Sequence, residues 1–91
     1  MITNTTPQQL AQSSHDSVIG HVYVETVAAL EMGALVHAHE MAPRTILYAV
    51  MGADNVEQMK ARGIYHDAVQ AADDAAQTVH HWAELEDMAV C

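Results

Sequence analysis

Residues 64–90 read IYHDAVQAADDAAQTVHHWAELEDMAV, a run with neither glycine nor proline. At about 100° per residue, Ile64, Ala68, Ala71, Ala72, Ala75, Val79, Trp82, Ala83, Ala89 and Val90 share one broad face. His66, Asp73, Asp74, Gln77, His80, His81 and Glu84 occupy the other. Such a division of apolar and polar residues predicts an amphipathic helix over the whole stretch. Its apolar face is mostly alanine, which lets a second helix approach closely, with Trp82 as the large anchor.

Working outward, residues 17–41 (SVIGHVYVETVAALEMGALVHAHEM) are too long for a strand and predict a second long helix. Asp16 or Ser17 is placed to cap its start, and Pro43 ends it by biasing Ala42 away from helical geometry. Ile19, Tyr23, Val27, Leu30, Ala34, His37 and Met41 form one stripe. Val18, Val22, Ala29, Met32 and Val36 form another. Two apolar stripes predict a helix contacted on two sides. Between the long helices, Pro43 opens a short apolar helix carrying Ile46, Leu47, Val50 and Met51, which Gly52 ends. Asp54 and Glu57 have capping-box spacing for a further short segment, and Gly63 marks a break before the last helix. Residues 1–16 (MITNTTPQQLAQSSHD) are polar. Thr6 and Pro7 permit a short helical turn there, but the stretch reads as a flexible arm that orders against a partner. The expected fold is therefore all-α: a helical hairpin or small bundle over 17–91, its long helices at about 17–41 and 64–90, completed by oligomerisation.

Charge narrows the function classes. The 91 residues hold twelve carboxylates against three lysines and arginines, a formal charge of −9. With Arg44, Lys60 and Arg62 as the whole supply of cations, binding to a nucleic-acid backbone or an anionic membrane is excluded as a main function. Glu25, Glu31 and His37 interrupt the apolar stretches, so none reads as a membrane span. The start carries no basic and apolar leader pattern, and the single cysteine, Cys91, offers no intrachain disulfide. Both point to a cytoplasmic protein.

Seven histidines raise the question of metal. His37 with Glu40 and His81 with Glu84 are His-x-x-Glu steps, whose side chains project from one side of a helix. They are the candidate ligands for an iron or zinc site. His37 falls on an apolar face and His81 on a polar one, so the two half-sites combine poorly within one chain. Phosphate-binding glycine loops, nucleophile elbows, C-x-x-C and H-E-x-x-H are absent from the sequence, which predicts no enzyme.

The leading expectation is a small acidic interaction or assembly subunit. Its apolar surface exceeds what a chain of this length can cover, and a specific interface of about 800 Å² per partner would absorb the excess. Val22, Val27, Leu30, Val36 and Trp82 are the candidate interface residues, with a second copy of the chain as the first candidate partner. The alternatives are the metal-binding bundle and an acidic inhibitor that fills a basic groove on a larger protein.

Overall fold

Thr6 opens the first helix with a reciprocal cap. Its hydroxyl accepts from the Gln9 backbone N–H at 3.3 Å, and the Gln9 side chain returns a bond to the Thr6 N–H at 3.0 Å. In the computed structural model, which describes residues 5–33 and 40–90 and side chains as far as residue 85, this cap starts α1 (Pro7–Gln12). Four further helices follow among the described residues: α2 (His15–Glu31), α3 (Pro43–Met51), α4 (Ala53–Ala61) and α5 (Tyr65–Val90). No strand occurs among them, and the protein is all-α. None of these helices is long and apolar enough to cross a membrane.

The stretch expected to be a flexible arm is thus partly helical and docked on its own chain. α1 packs against α4 and buries Leu10, and Arg62 Nη1 donates to the Leu10 carbonyl at 2.6 Å. The same carbonyl accepts the Ser13 N–H at 3.1 Å, so Arg62 is its second donor and ties the end of α1 to the end of α4. Asn55, fully buried on α4, donates to the carbonyls of Thr5 and Met51 at 2.9 and 2.7 Å.

Glycines punctuate the chain. α2 ends at Glu31, where Gly33 adopts φ +75° and its N–H returns to the Leu30 carbonyl at 3.1 Å. The long helix predicted over 17–41 is therefore shorter at this end, since the left-handed residue outweighs the apolar pattern beyond it. The rest of that prediction, residues 34–39, lies outside the described residues. Gly52 alone joins α3 to α4, with φ +86° and ψ +154°, a conformation open essentially to glycine. Because Gly52 is the N-cap, α4 begins at Ala53, and Asp54 lies within the first turn and does not cap it. Gly63 completes a Schellman motif after α4. Its N–H bonds the Lys60 carbonyl at 3.1 Å, the Ile64 N–H bonds the Met59 carbonyl at 3.0 Å, and Ile64 and Met59 both lie in the core.

The two long helices are neighbours, and they run in the same direction. His15 meets Asp67, Tyr23 meets Thr78, and Val27 and Glu31 lie beside Trp82, so residue numbers climb together on both. The long helices thus form a parallel pair and not the two arms of a simple hairpin, and α3 and α4 return the chain to the starting end. α3 packs on both long helices with Ile46, Leu47, Val50 and Met51 all buried. The core they enter contains Val18, Val22 and Ala29 of α2 and Ala68, Ala71 and Ala72 of α5. The alanine face admits α2 and α3 as its spacing implies.

Candidate protein-interaction groove

Along the side of the α2–α5 pair turned away from α3 and α4 lies an open groove. Its wider part encloses about 610 Å³ between His15, Asp16, Ile19, Gly20, Tyr23 and Val24 of α2 and Asp67, Gln70, Ala71 and Asp74 of α5. A second part of about 240 Å³ continues past Tyr23 and Val24 to Val27, Ala28, Glu31 and Trp82.

Each wall has a local cause. Ser14 caps α2 by accepting from the Ser17 N–H at 3.2 Å, which places His15 and Asp16 in the first turn. Asp67 lies in the first turn of α5, and Asp16 and Asp67 are both favourably placed against their helix dipoles. His15 Nε2 and Asp67 Oδ2 are 2.8 Å apart. A carboxylate only accepts, so the proton of this contact resides on Nε2. Deeper in the groove, the Tyr23 hydroxyl donates to Thr78 Oγ1 at 3.1 Å, and that hydroxyl donates to the Asp74 carbonyl at 2.8 Å. Gln70 Nε2 holds the Asp74 carboxylate from one turn earlier at 3.0 Å. The resulting surface is apolar along its floor and acidic at the end where both long helices begin.

Exposed apolar side chains concentrate at the opposite end. Val24 is 63% exposed, Trp82 45%, Leu85 48% and Met32 78%. Val24, Trp82 and the half-buried Val27 border the same stretch of groove.

No known protein family, curated protein or solved structure matches the chain. The geometry of the chain's own residues therefore carries the functional reading.

The residues singled out from sequence divide. Trp82 stands on the groove rim beside α2, nearly half exposed, and is not the buried core anchor its face implied. Val27 lines the groove, and Leu30 is half-buried on the same helix. Val22 is corrected: it is fully buried in this chain's own core and presents nothing to a partner. Of the two stripes read on this helix, the one through Val18, Val22 and Ala29 meets the core, while Ile19, Tyr23, Val27 and Leu30 form its half-buried margin. Val36 and His37 lie outside the described residues. Glu40 is exposed in the connection before α3, and His81 and Glu84 are exposed on α5. Glu84 Oε1 is engaged by His80 Nε2 at 3.2 Å. Among the described residues, no three histidine, cysteine or carboxylate side chains are grouped to hold a metal ion.

His21 touches both the Thr5 hydroxyl and, at 3.6 Å, Glu25. Both approach the same nitrogen, Nε2, so the three do not form a hydroxyl–imidazole–carboxylate relay, in which the two partners take opposite ring nitrogens.

Val24, Asp16, Asp67 and Asp74 were missed as groove residues. Val24 belongs to neither apolar stripe of its helix, and an apolar β-branched residue outside both was the available signal. The acidic end depends on parallel packing of segments some fifty positions apart, which helical periodicity does not encode.

Proposed function

We propose that this chain is a non-catalytic interaction subunit that binds a protein through the α2–α5 groove. The observation that carries the reading is the row Val24, Val27 and Trp82, continuous with a groove whose floor is apolar. Scattered apolar residues on a surface need no explanation, but a contiguous patch with an aromatic beside a concave floor has the anatomy of an interface core. The acidic end adds selectivity for a positively charged partner and against anionic ones. In this reading the helical bundle is completed by the partner, in line with the excess apolar surface expected from the sequence.

Val24→Asp tests the assignment, because Val24 is exposed and its replacement leaves the core intact. Wild type and variant would be cross-linked and purified from the native cell, with Gln77→Ala on the polar side of α5 as the control. A companion held by wild type and Gln77→Ala but lost by Val24→Asp is the expected result. Companions retained equally by Val24→Asp would refute the groove as the binding surface.

A further inference from the structure

We infer that the groove receives a single α-helix of a different protein, antiparallel to α2 and α5, with its lysines and arginines gathered in its last two turns. This rests on the protein-binding reading of the same groove and names its occupant.

Length and relief suit a helix. From His15 to Glu31 the groove follows sixteen residue steps of α2, about 24 Å at 1.5 Å each, or four to five turns of a partner. At Gly20 the wall is low: a Cβ placed there would meet nothing within 4 Å beyond its chain neighbours and its own helix backbone. A ridge of side chains can enter at that point, as helix packing requires.

Charge selects the partner. Asp16 and Asp67 border one end, Asp74 lies about two turns further in on the same side of the groove, and Glu31 borders the other end. The N-termini of α2 and α5 contribute about half a positive charge each, which offsets roughly one of these carboxylates and leaves the end acidic. None of this chain's lysines or arginines lines the groove. Lys60 is occupied with Tyr48 and Glu57, and Arg62 with the Leu10 carbonyl. A second copy seated in the groove about a twofold axis would set carboxylates against carboxylates, between chains each carrying −9. A basic helix from another protein has no such conflict.

Direction follows from the parallel pair. Both N-termini lie at the acidic end, so an incoming helix is best oriented with its C-terminus there. Cations in its last turns then meet Asp16, Asp67 and Asp74 while also complementing its own dipole. The two electrostatic effects favour the same orientation. Its apolar stripe, one to two turns earlier, would reach Val24, Val27 and Trp82.

The test is selection of helical peptides of about 18 residues, displayed with one apolar face and all other positions randomised, on the full-length chain at low salt. Expected winners concentrate lysine and arginine in the last two turns, and raising salt weakens them. Trp82 is the sole tryptophan, so tryptophan-free winners report binding through its fluorescence. Replacing Asp16 and Asp74 together by asparagine should weaken binding roughly 2- to 30-fold, the range for two rim charges, and Val24→Asp should abolish it. Winners with cations at the N-terminal end, or with none, that are still lost in Val24→Asp would overturn the inference and leave the groove a binding surface. Winners indifferent to Val24→Asp would overturn both. A selection that enriches nothing, together with sedimentation showing self-association broken by Val24→Asp, would overturn the inference in favour of a second copy.

Discussion

Two glycines should respond to the same substitution with opposite signs. Gly52 joins α3 to α4 at φ +86° and ψ +154° and is buried. An alanine held there is strained by about 1–3 kcal/mol. Its narrower unfolded ensemble returns about 0.4–1 kcal/mol, so the net destabilisation is about 0–2.6 kcal/mol, with about 1.3 kcal/mol from the midpoints. Gly20 lies inside α2, exposed, with open space where a Cβ would stand. Alanine there should stabilise by about 0.5–1 kcal/mol, the helix-interior difference between the two residues. For a domain of this size each kcal/mol moves the midpoint by about 4–8 °C. Gly52→Ala should therefore lower Tm by about 5–10 °C at the midpoint value and Gly20→Ala raise it by about 2–8 °C. Thermal unfolding followed by circular dichroism at matched concentration resolves both. A Gly52→Ala protein melting at or above wild type would refute the assignment of Gly52 to a glycine-only conformation. The same result would undo the one-residue junction between α3 and α4.

Other perturbations separate core from groove. Leu47→Ala, at a fully buried site, should cost about 2–5 kcal/mol in urea unfolding, and a loss below about 1 kcal/mol would contradict its burial. Trp82→Ala should cost folding only about 1–2 kcal/mol, because nearly half of the ring is already exposed. A loss above about 3 kcal/mol would place Trp82 in the core. The Lys60 amine donates to the Tyr48 phenol at 2.8 Å, and chiefly this bond holds its pKa above the usual 10.5, with Glu57 adding to it against some desolvation. A raised folded-state pKa means that the protonated amine favours the fold. That contribution is complete below pH 10.5 and fades as pH rises through the folded value. NMR titration of Lys60 in Tyr48→Phe should show its pKa moving back toward 10.5, and an unchanged titration would refute the phenol as the cause. Thr6→Ala should remove about 1 kcal/mol of capping energy from α1. Faster hydrogen exchange confined to that helix is the expected sign, and unchanged exchange would speak against the cap.

What could be read from sequence followed local physics. The Ile64, Ala68, Ala71, Ala72 and Ala75 face is buried as its spacing predicts. Pro43 opens α3, Gly52 ends it, and Gly63 breaks the chain where expected. Each depends on residues within a turn or two. Gly33 lies inside an apolar run, where hydrophobic pattern and backbone geometry disagree and the geometry prevails. Val22 and Val27 looked equivalent as apolar residues on a twice-contacted helix. Which stripe met the core was decided by where α3 and α5 lie. The acidic end is further removed still, since it exists only because two helix starts far apart in sequence are brought side by side.

That juxtaposition also bears on the order in which the molecule assembles. Contacts among α3, α4 and α5 close shorter loops, from the turn that pairs Met59 with Ile64 to the packing of α3 on α5. The pairing of α2 with α5 spans far more chain: His15 and Asp67 are 52 positions apart. Loop-closure entropy makes such distant pairings late events. Seating of α2, like that of α1 on α4, where Arg62 and Leu10 are also 52 positions apart, should then be a late step. Val22→Ala should mainly accelerate unfolding while leaving the folding rate nearly unchanged in stopped-flow chevrons. A slowed folding limb would instead place α2 in the nucleus. With α2 seated late, the groove comes into being only as the chain finishes folding. A partner that recognises it thereby distinguishes completed molecules from those still on the way.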